Sequence, residues 1–148
     1  MLETFSQKGF PCKLFVCGPY EKETEFIQFY KNELYGCKNI IPMGFVDIMS
    51  EDFRKIAEEC CYTILPSCFE GMAGYITTYM SAGIVPICSR ECGFNYDDVV
   101  TMKDCIIESL ERKILECSSL AVDDIRTKSL RARELASKKY SINEFYKK

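Results

Sequence analysis

The chain has 148 residues, is 47% hydrophobic and 28% charged, and carries a net charge of −3. That composition belongs to a globular protein able to bury a hydrophobic core, and its sequence pI of about 5.2 gives no general electrostatic grip on nucleic acid. Histidine is absent, which excludes Ser-His-Asp and Cys-His catalysis and histidine-ligated metal sites within this chain. Any acid–base work then falls to Asp, Glu, Lys, Tyr or Cys.

No apolar run approaches the ~20 residues that span a bilayer, and the N-terminus lacks the basic-then-apolar pattern of a secretory signal. Cysteine is abundant but irregularly spaced: Cys12, Cys17, Cys37, Cys60, Cys61, Cys68, Cys88, Cys92, Cys105 and Cys117. No Cys-x-x-Cys pair occurs, so neither a zinc site nor a disulfide framework is indicated. Most of these residues sit in apolar runs, and they are expected to be buried, reduced thiols in a cytoplasmic setting.

In chain order, residues 2–8 read as a helix tail closed by Gly9, with Pro11 beyond it. Lys13 to Cys17 reads as a buried strand stopped by Gly18-Pro19. Residues 21–35 place Phe26, Ile27, Tyr30 and Leu34 at helical spacing, with acids crowding the start. Asn39 to Met43 is a second strand, left through Gly44-Phe45-Val46. Asp47 belongs to the turn before Ser50, an N-cap for a helix burying Phe53, Ile56, Ala57 and Cys60. Cys61 to Leu65 and Val85 to Cys88 are strands, and Val99 to Thr101 is a short last one. Asp104 is expected to cap a helix burying Ile107, Leu110, Ile114 and Cys117. A more charged helix spans 121–139, and Ser141-Ile-Asn-Glu144 matches a capping box, with Tyr140 and Phe145 as its hydrophobic staple.

This alternation predicts an α/β fold: a Rossmann-like parallel sheet of about 4–5 strands with helices on both faces. In such sheets ligands meet the carboxyl ends of strands, where helices begin. The stretch from Tyr62 to Arg90 is a strand, a glycine-interrupted turn holding Glu70, a short helix and a second strand. Glu70 is then either a carboxylate aimed at a polar ligand or a solvated loop acid. Gly71, Gly74, Thr78 and Ala82 share one helical face, while Ile76 and Met80 form the core stripe. A face of small residues admits either an anion at the helix start or a neighbouring helix. Arg90-Glu91 reads as a surface ion pair, and Arg126, Lys128, Arg131, Arg133, Lys138 and Lys139 as a solvated helix face that could also dock on a membrane surface.

The run Leu65-Pro-Ser-Cys-Phe-Glu-Gly71, followed by Met80-Ser-Ala-Gly-Ile-Val-Pro-Ile87, resembles the signature of the group 1, or family 4, glycosyltransferases of the GT-B fold. Lys13-Leu-Phe-Val-Cys-Gly-Pro19 is similar to that family's strand ending in Gly-x-Gly-Pro, and Ile40-Ile-Pro-Met-Gly-Phe-Val46 to its strand ending in Gly-x-Val. Tyr140-Ser-Ile-Asn-Glu-Phe145 resembles its aromatic-Ser/Thr-x-x-x-Phe end segment. The resemblance implies that residues 1–148 are the donor-binding C-terminal half of a two-domain enzyme, lacking the family's first strand in that half.

It further implies transfer of a sugar, with retention and without a metal or other cofactor, from a nucleotide-diphosphate sugar to a glycan or lipid-linked acceptor. Glu70 matches the acid that lies against the donor sugar. Gly71, Met72, Ala73 and Gly74 match the backbone amides that hold the diphosphate, and Val46 matches a contact to the base. Thr78 stands where the family places a second Glu on the ribose. The partners implied are a nucleotide sugar and an N-terminal acceptor-binding half, without which this polypeptide is expected not to catalyse transfer. Nucleic acid is not an implied partner. Self-association through an unpaired strand edge, and peripheral contact with the inner face of the membrane, are further expectations. A non-catalytic nucleotide-binding or interaction domain on the same scaffold is the alternative, favoured by Thr78. A related epimerase is the third reading, and the chain lacks the histidine that such chemistry generally uses.

Overall fold

A computed structural model describes residues 1–71 and 73–141. The chain forms two compact units, Met1–Ile56 and Ala57–Lys148. Among the described residues, no helix is long and apolar enough to cross a membrane.

The first unit is built on two parallel strands, β1 (Leu14–Cys17) and β2 (Ile40–Gly44), paired from Leu14↔Ile40 with a register shift between Val16 and Cys17. Helix α1 (Leu2–Lys8) ends at Gly9 in the left-handed conformation, as its sequence predicts. Its Phe5 is buried against Phe10, with ring centroids 4.8 Å apart. Residues 21–35 do not form the single helix expected. They make a 3-10 turn (Tyr20–Lys22), α2 (Thr24–Phe29) and α3 (Lys31–Gly36), with Tyr30 leaving helical geometry at φ −102° and ψ 19°. The reason is local: Thr24, Phe26, Ile27, Phe29 and Tyr30 are β-branched or aromatic residues that lose rotamer freedom in a helix. The rings of Phe26, Phe29 and Tyr30 pack on each other instead, at 5.0 and 4.8 Å. Leu34, the buried anchor of α3, is fully covered.

Helix α4 (Glu51–Glu59) starts as read: the Ser50 hydroxyl accepts the Phe53 N–H at 3.1 Å. Asp47 shapes the preceding turn, its carboxylate accepting the Met49 N–H at 2.8 Å. Phe53, Ile56, Ala57 and Cys60 are the covered positions of this segment.

The second unit carries three parallel strands in the order β3 (Tyr62–Leu65), β4 (Val85–Ser89), β5 (Val100–Met102). Every residue of β4 is buried, as befits a strand flanked on both edges. Within each unit the strands run parallel, two in the sheet of the first and three in that of the second, flanked by helices in a Rossmann-like α/β fold. Helix α5 (Gly74–Ser81) joins β3 to β4, α6 (Ile107–Ser118) follows β5, and α7 (Val122–Lys138) comes last.

Ile76 and Met80 are both fully buried, together with Cys88, Cys92, Phe94, Ala132 and Ala136. Burying two such side chains contributes roughly 1.5–3 kcal/mol each. The alanines let α7 lie close on α5. Gly83, at the end of α5, is required on two counts. Its φ is +88°, and an added Cβ would sit 2.7 Å from both Arg133 Nε and Ser129 Oγ of α7.

Asp104 does not cap α6. The helix begins at Ile107, and the Asp104 carboxylate instead accepts the Ile106 N–H at 3.4 Å, two residues on. Tyr140 packs edge-on against Phe94 at 5.4 Å. The capping box and Phe145 fall within residues 142–148, outside the described residues apart from Ser141.

All ten cysteines are free thiols, but burial is less general than expected. Cys88, Cys92 and Cys117 are buried, whereas Cys17, Cys61 and Cys68 are exposed. A short strand at a sheet edge cannot cover both of its faces, and Cys17 ends such a strand.

Candidate functional site

The site predicted after β3 is a loop followed by the first turn of α5. Four contacts fasten the loop within the second unit. The Ser89 hydroxyl and the Cys105 thiol, the latter at 3.1 Å, both donate to the Ser67 carbonyl. Cys92 donates its thiol to the Leu65 carbonyl at 3.4 Å. The Glu70 N–H reaches the Glu91 carbonyl at 3.3 Å, tying the loop to the 3-10 turn Arg90–Cys92 that follows β4. The Cys105 thiol acts as a neutral donor: burial followed by the hydrogen bond to Glu91 pushes it up to about 11.

Glu70 itself is exposed, beside an almost fully exposed Phe69. Its charge reaches Tyr75, whose phenol is pushed up to about 12, mainly by burial and next by the Glu70 charge. Tyr75 is thus a neutral hydroxyl in the field of the carboxylate. It shares the helical face of Thr78 and Ala82, and passed unnoticed in the sequence because that face was traced through its small residues alone.

Ala73 occupies the N-cap position of α5 in an extended conformation and supplies no side-chain cap. The amides of the first turn therefore have no side-chain acceptor from the cap residue, and the Ile76 N–H turns back to the Ala73 carbonyl at 3.0 Å. Gly71 and Gly74 are exposed, and a Cβ built on either meets nothing within 4 Å. That distinguishes the two readings of the small face. Among the described residues, no neighbour closes the face at either glycine. Its carboxyl-terminal end behaves differently: the Arg133 guanidinium donates to the Ala82 carbonyl at 3.1 Å, so α7 closes it. Thr78 is half-buried one turn after Gly74. The neighbouring Thr77 spends its hydroxyl on the Gly74 carbonyl at 2.7 Å. Met72 lies outside the described residues.

Glu70, Gly71, Ala73, Gly74 and Thr78 are thus brought together at the carboxyl end of β3. Val46 belongs to the first unit, half-buried in the loop leaving β2. That loop is shaped by Gly44, whose φ is +67° and whose added Cβ would fall 1.9 Å from Glu21 Oε1. The Gly44 N–H donates to the Tyr20 hydroxyl at 2.9 Å. The turn after β1 therefore folds directly over the end of β2.

Two arrangements were not foreseen. Arg90 does not pair with Glu91; its guanidinium lies over the Tyr96 ring at 5.4 Å, while Glu91 accepts from Cys105 at 3.3 Å. Asp98, only 5% exposed at its side chain, accepts from Lys139 and, at 2.6 Å, from the Tyr140 hydroxyl, with Arg131 at 3.9 Å. Burial pushes its carboxyl up, but these hydrogen bonds and charges outweigh it and hold the group below its usual range. Several cations of the charged helix are consequently engaged within the unit rather than presented as one free basic face.

The fold and the loop at the end of β3 define a Rossmann-like α/β protein with its polar turn at a strand's carboxyl end. Among solved structures, the chain is similar to a glycosyltransferase from Rickettsia africae ESF-5, with a TM-score of 0.76 over 99% of this chain at 16% identity. The chain spans 40% of the length of that protein. At that identity the likeness establishes a glycosyltransferase-like fold. No family profile matches the sequence, and no curated protein matches it.

Proposed function

We propose that this chain is the donor-binding half of a retaining, metal-independent glycosyltransferase of the group 1 (family 4) GT-B type, which uses a nucleotide-diphosphate sugar to build a glycan or polysaccharide. The observation that carries the reading is the uncapped first turn of α5, with Gly71 and Gly74 open to solvent at the end of β3. Free amides and a helix dipole stabilise a diphosphate in the ground state and more strongly as it departs. In this reading the amides of Gly71, Met72, Ala73 and Gly74 hold the diphosphate, and Glu70 positions the donor sugar. Val46 meets the base, and the Thr78 hydroxyl meets the ribose. A hydroxyl there forms a neutral hydrogen bond where a carboxylate would form a charge-assisted one, so the nucleotide is held more loosely. An acceptor-binding half is the partner this reading requires.

The Thr78 position favours a second reading, a non-catalytic nucleotide-binding domain on the same scaffold. Saturation-transfer NMR with UDP, GDP and their sugars tests the first. Binding of a nucleotide sugar that weakens about tenfold in Glu70→Gln, with free nucleotide binding unchanged, supports the donor role. Equal loss for both ligands, or no loss for either, removes Glu70 from it.

A further inference from the structure

The second unit holds another polar feature on the carboxyl side of its sheet. A cavity of about 260 Å³ lies between the turn after β4, the end of β5 and α6. Arg90, Lys103, Arg112 and Lys113 line it together with Tyr96 and Met102, and no carboxylate is among its lining residues. The neighbouring acids cover only part of this charge. Glu116 pairs with Lys113 at 2.7 Å and, more distantly, with Arg112 at 4.0 Å. Asp104 is held low by hydrogen bonds from Ser109 and the Ile106 N–H and by the charges of Lys103 and Arg112, but it lies outside the lining. Among the described residues, Arg90 and Lys103 have no ion-pair partner; Arg90 only stacks over Tyr96.

Glu116 and Asp104 offset two of the four charges from outside the lining, and the remaining positive charge attracts an anion. This happens in a chain whose net charge is −3, so it does not follow from a basic surface overall. Two guanidiniums offer forked donors suited to phosphate oxygens, the lysines add point charges, and the Tyr96 hydroxyl is a further donor. The volume suits a compact group. We propose that this cavity binds a phosphate dianion, carried by a small soluble molecule as a phosphomonoester or pyrophosphate. The site is separate from the donor loop, since Glu70, Gly71, Ala73, Gly74 and Thr78 do not line it, and it does not depend on the donor reading.

Isothermal titration with inorganic phosphate and with pyrophosphate at low salt tests this on the whole chain. Saturable binding is expected, weakening as salt screens the charges. Binding of inorganic phosphate should fall about tenfold or more in Arg90→Gln/Lys103→Gln and stay unchanged in Lys38→Gln, which removes an exposed cation of the first unit. Both substituted positions are exposed, and Lys103→Gln alone provides a second reading in the same direction should the double variant misfold. Undiminished binding in these variants, absence of binding by either probe, or binding to phosphatidic acid vesicles with none to the soluble phosphates would each overturn the proposal.

Discussion

Replacing Asp98 by Asn removes one buried negative charge while keeping the shape of the side chain. The carboxylate accepts from Lys139 and from the Tyr140 hydroxyl, and its side chain is 5% exposed. A hydrogen bond to a charged group is worth roughly 1.5–3 kcal/mol, and two would suggest twice that. The partners moderate the figure, because the Lys139 and Arg131 side chains are 40% and 58% exposed and their attraction is screened by solvent. A loss of about 2 kcal/mol at neutral pH follows, or some 5 °C in melting temperature. The pH dependence carries a definite sign. The folded carboxyl titrates below its unfolded value, so its contribution is complete above the unfolded pKa of about 4 and is lost as pH falls through the folded one. Urea unfolding followed by circular dichroism should therefore separate the two proteins at pH 7 and bring them together in acid. Equal stability at pH 7, or a gap that persists unchanged at low pH, would refute this account of Asp98.

Other outcomes follow from the same structure. Gly83→Ala should cost about 2 kcal/mol in thermal melts, from the left-handed backbone and the displacement of Arg133 from the Ala82 carbonyl. Thiol titration with a disulfide reagent should count ten free thiols after unfolding. In the native protein Cys17, Cys61 and Cys68 should react first, and Cys88, Cys92 and Cys117 only once the chain opens. Gly74→Val should abolish nucleotide binding while leaving the melting temperature within about 2 °C, because its new side chain enters open space.

Much of this architecture could be read from the chain because it rests on local patterns. Ile76 and Met80 proved to be the core stripe, and Ser50 the cap of α4. The strands emerged from short apolar runs, the first two of them left through Gly18 and Gly44. What escaped is long-range or competitive. The break at Tyr30 falls in a run of β-branched and aromatic residues whose low helix propensity competes with the helical spacing of Phe26, Ile27 and Leu34. Asp98 meets Lys139 across 41 positions, a pairing no local pattern encodes. The small face of α5 looked uniform, yet Gly71 and Gly74 are open while Ala82 is closed by Arg133, since α7 covers only one end. The cavity around Lys103 draws its cations from three separate elements, each of which reads alone as ordinary solvated charge.

The central claim is that the uncapped start of α5 holds the diphosphate of a nucleotide sugar. Titrating the isotopically labelled chain with UDP- and GDP-sugars, and following its backbone amides by NMR, tests it most directly. Saturable shifts centred on Gly71, Ala73, Gly74 and Tyr75 are predicted, absent in Gly74→Val. Shifts confined to the Arg90 and Lys103 cavity, or no shifts with any nucleotide sugar, would contradict it.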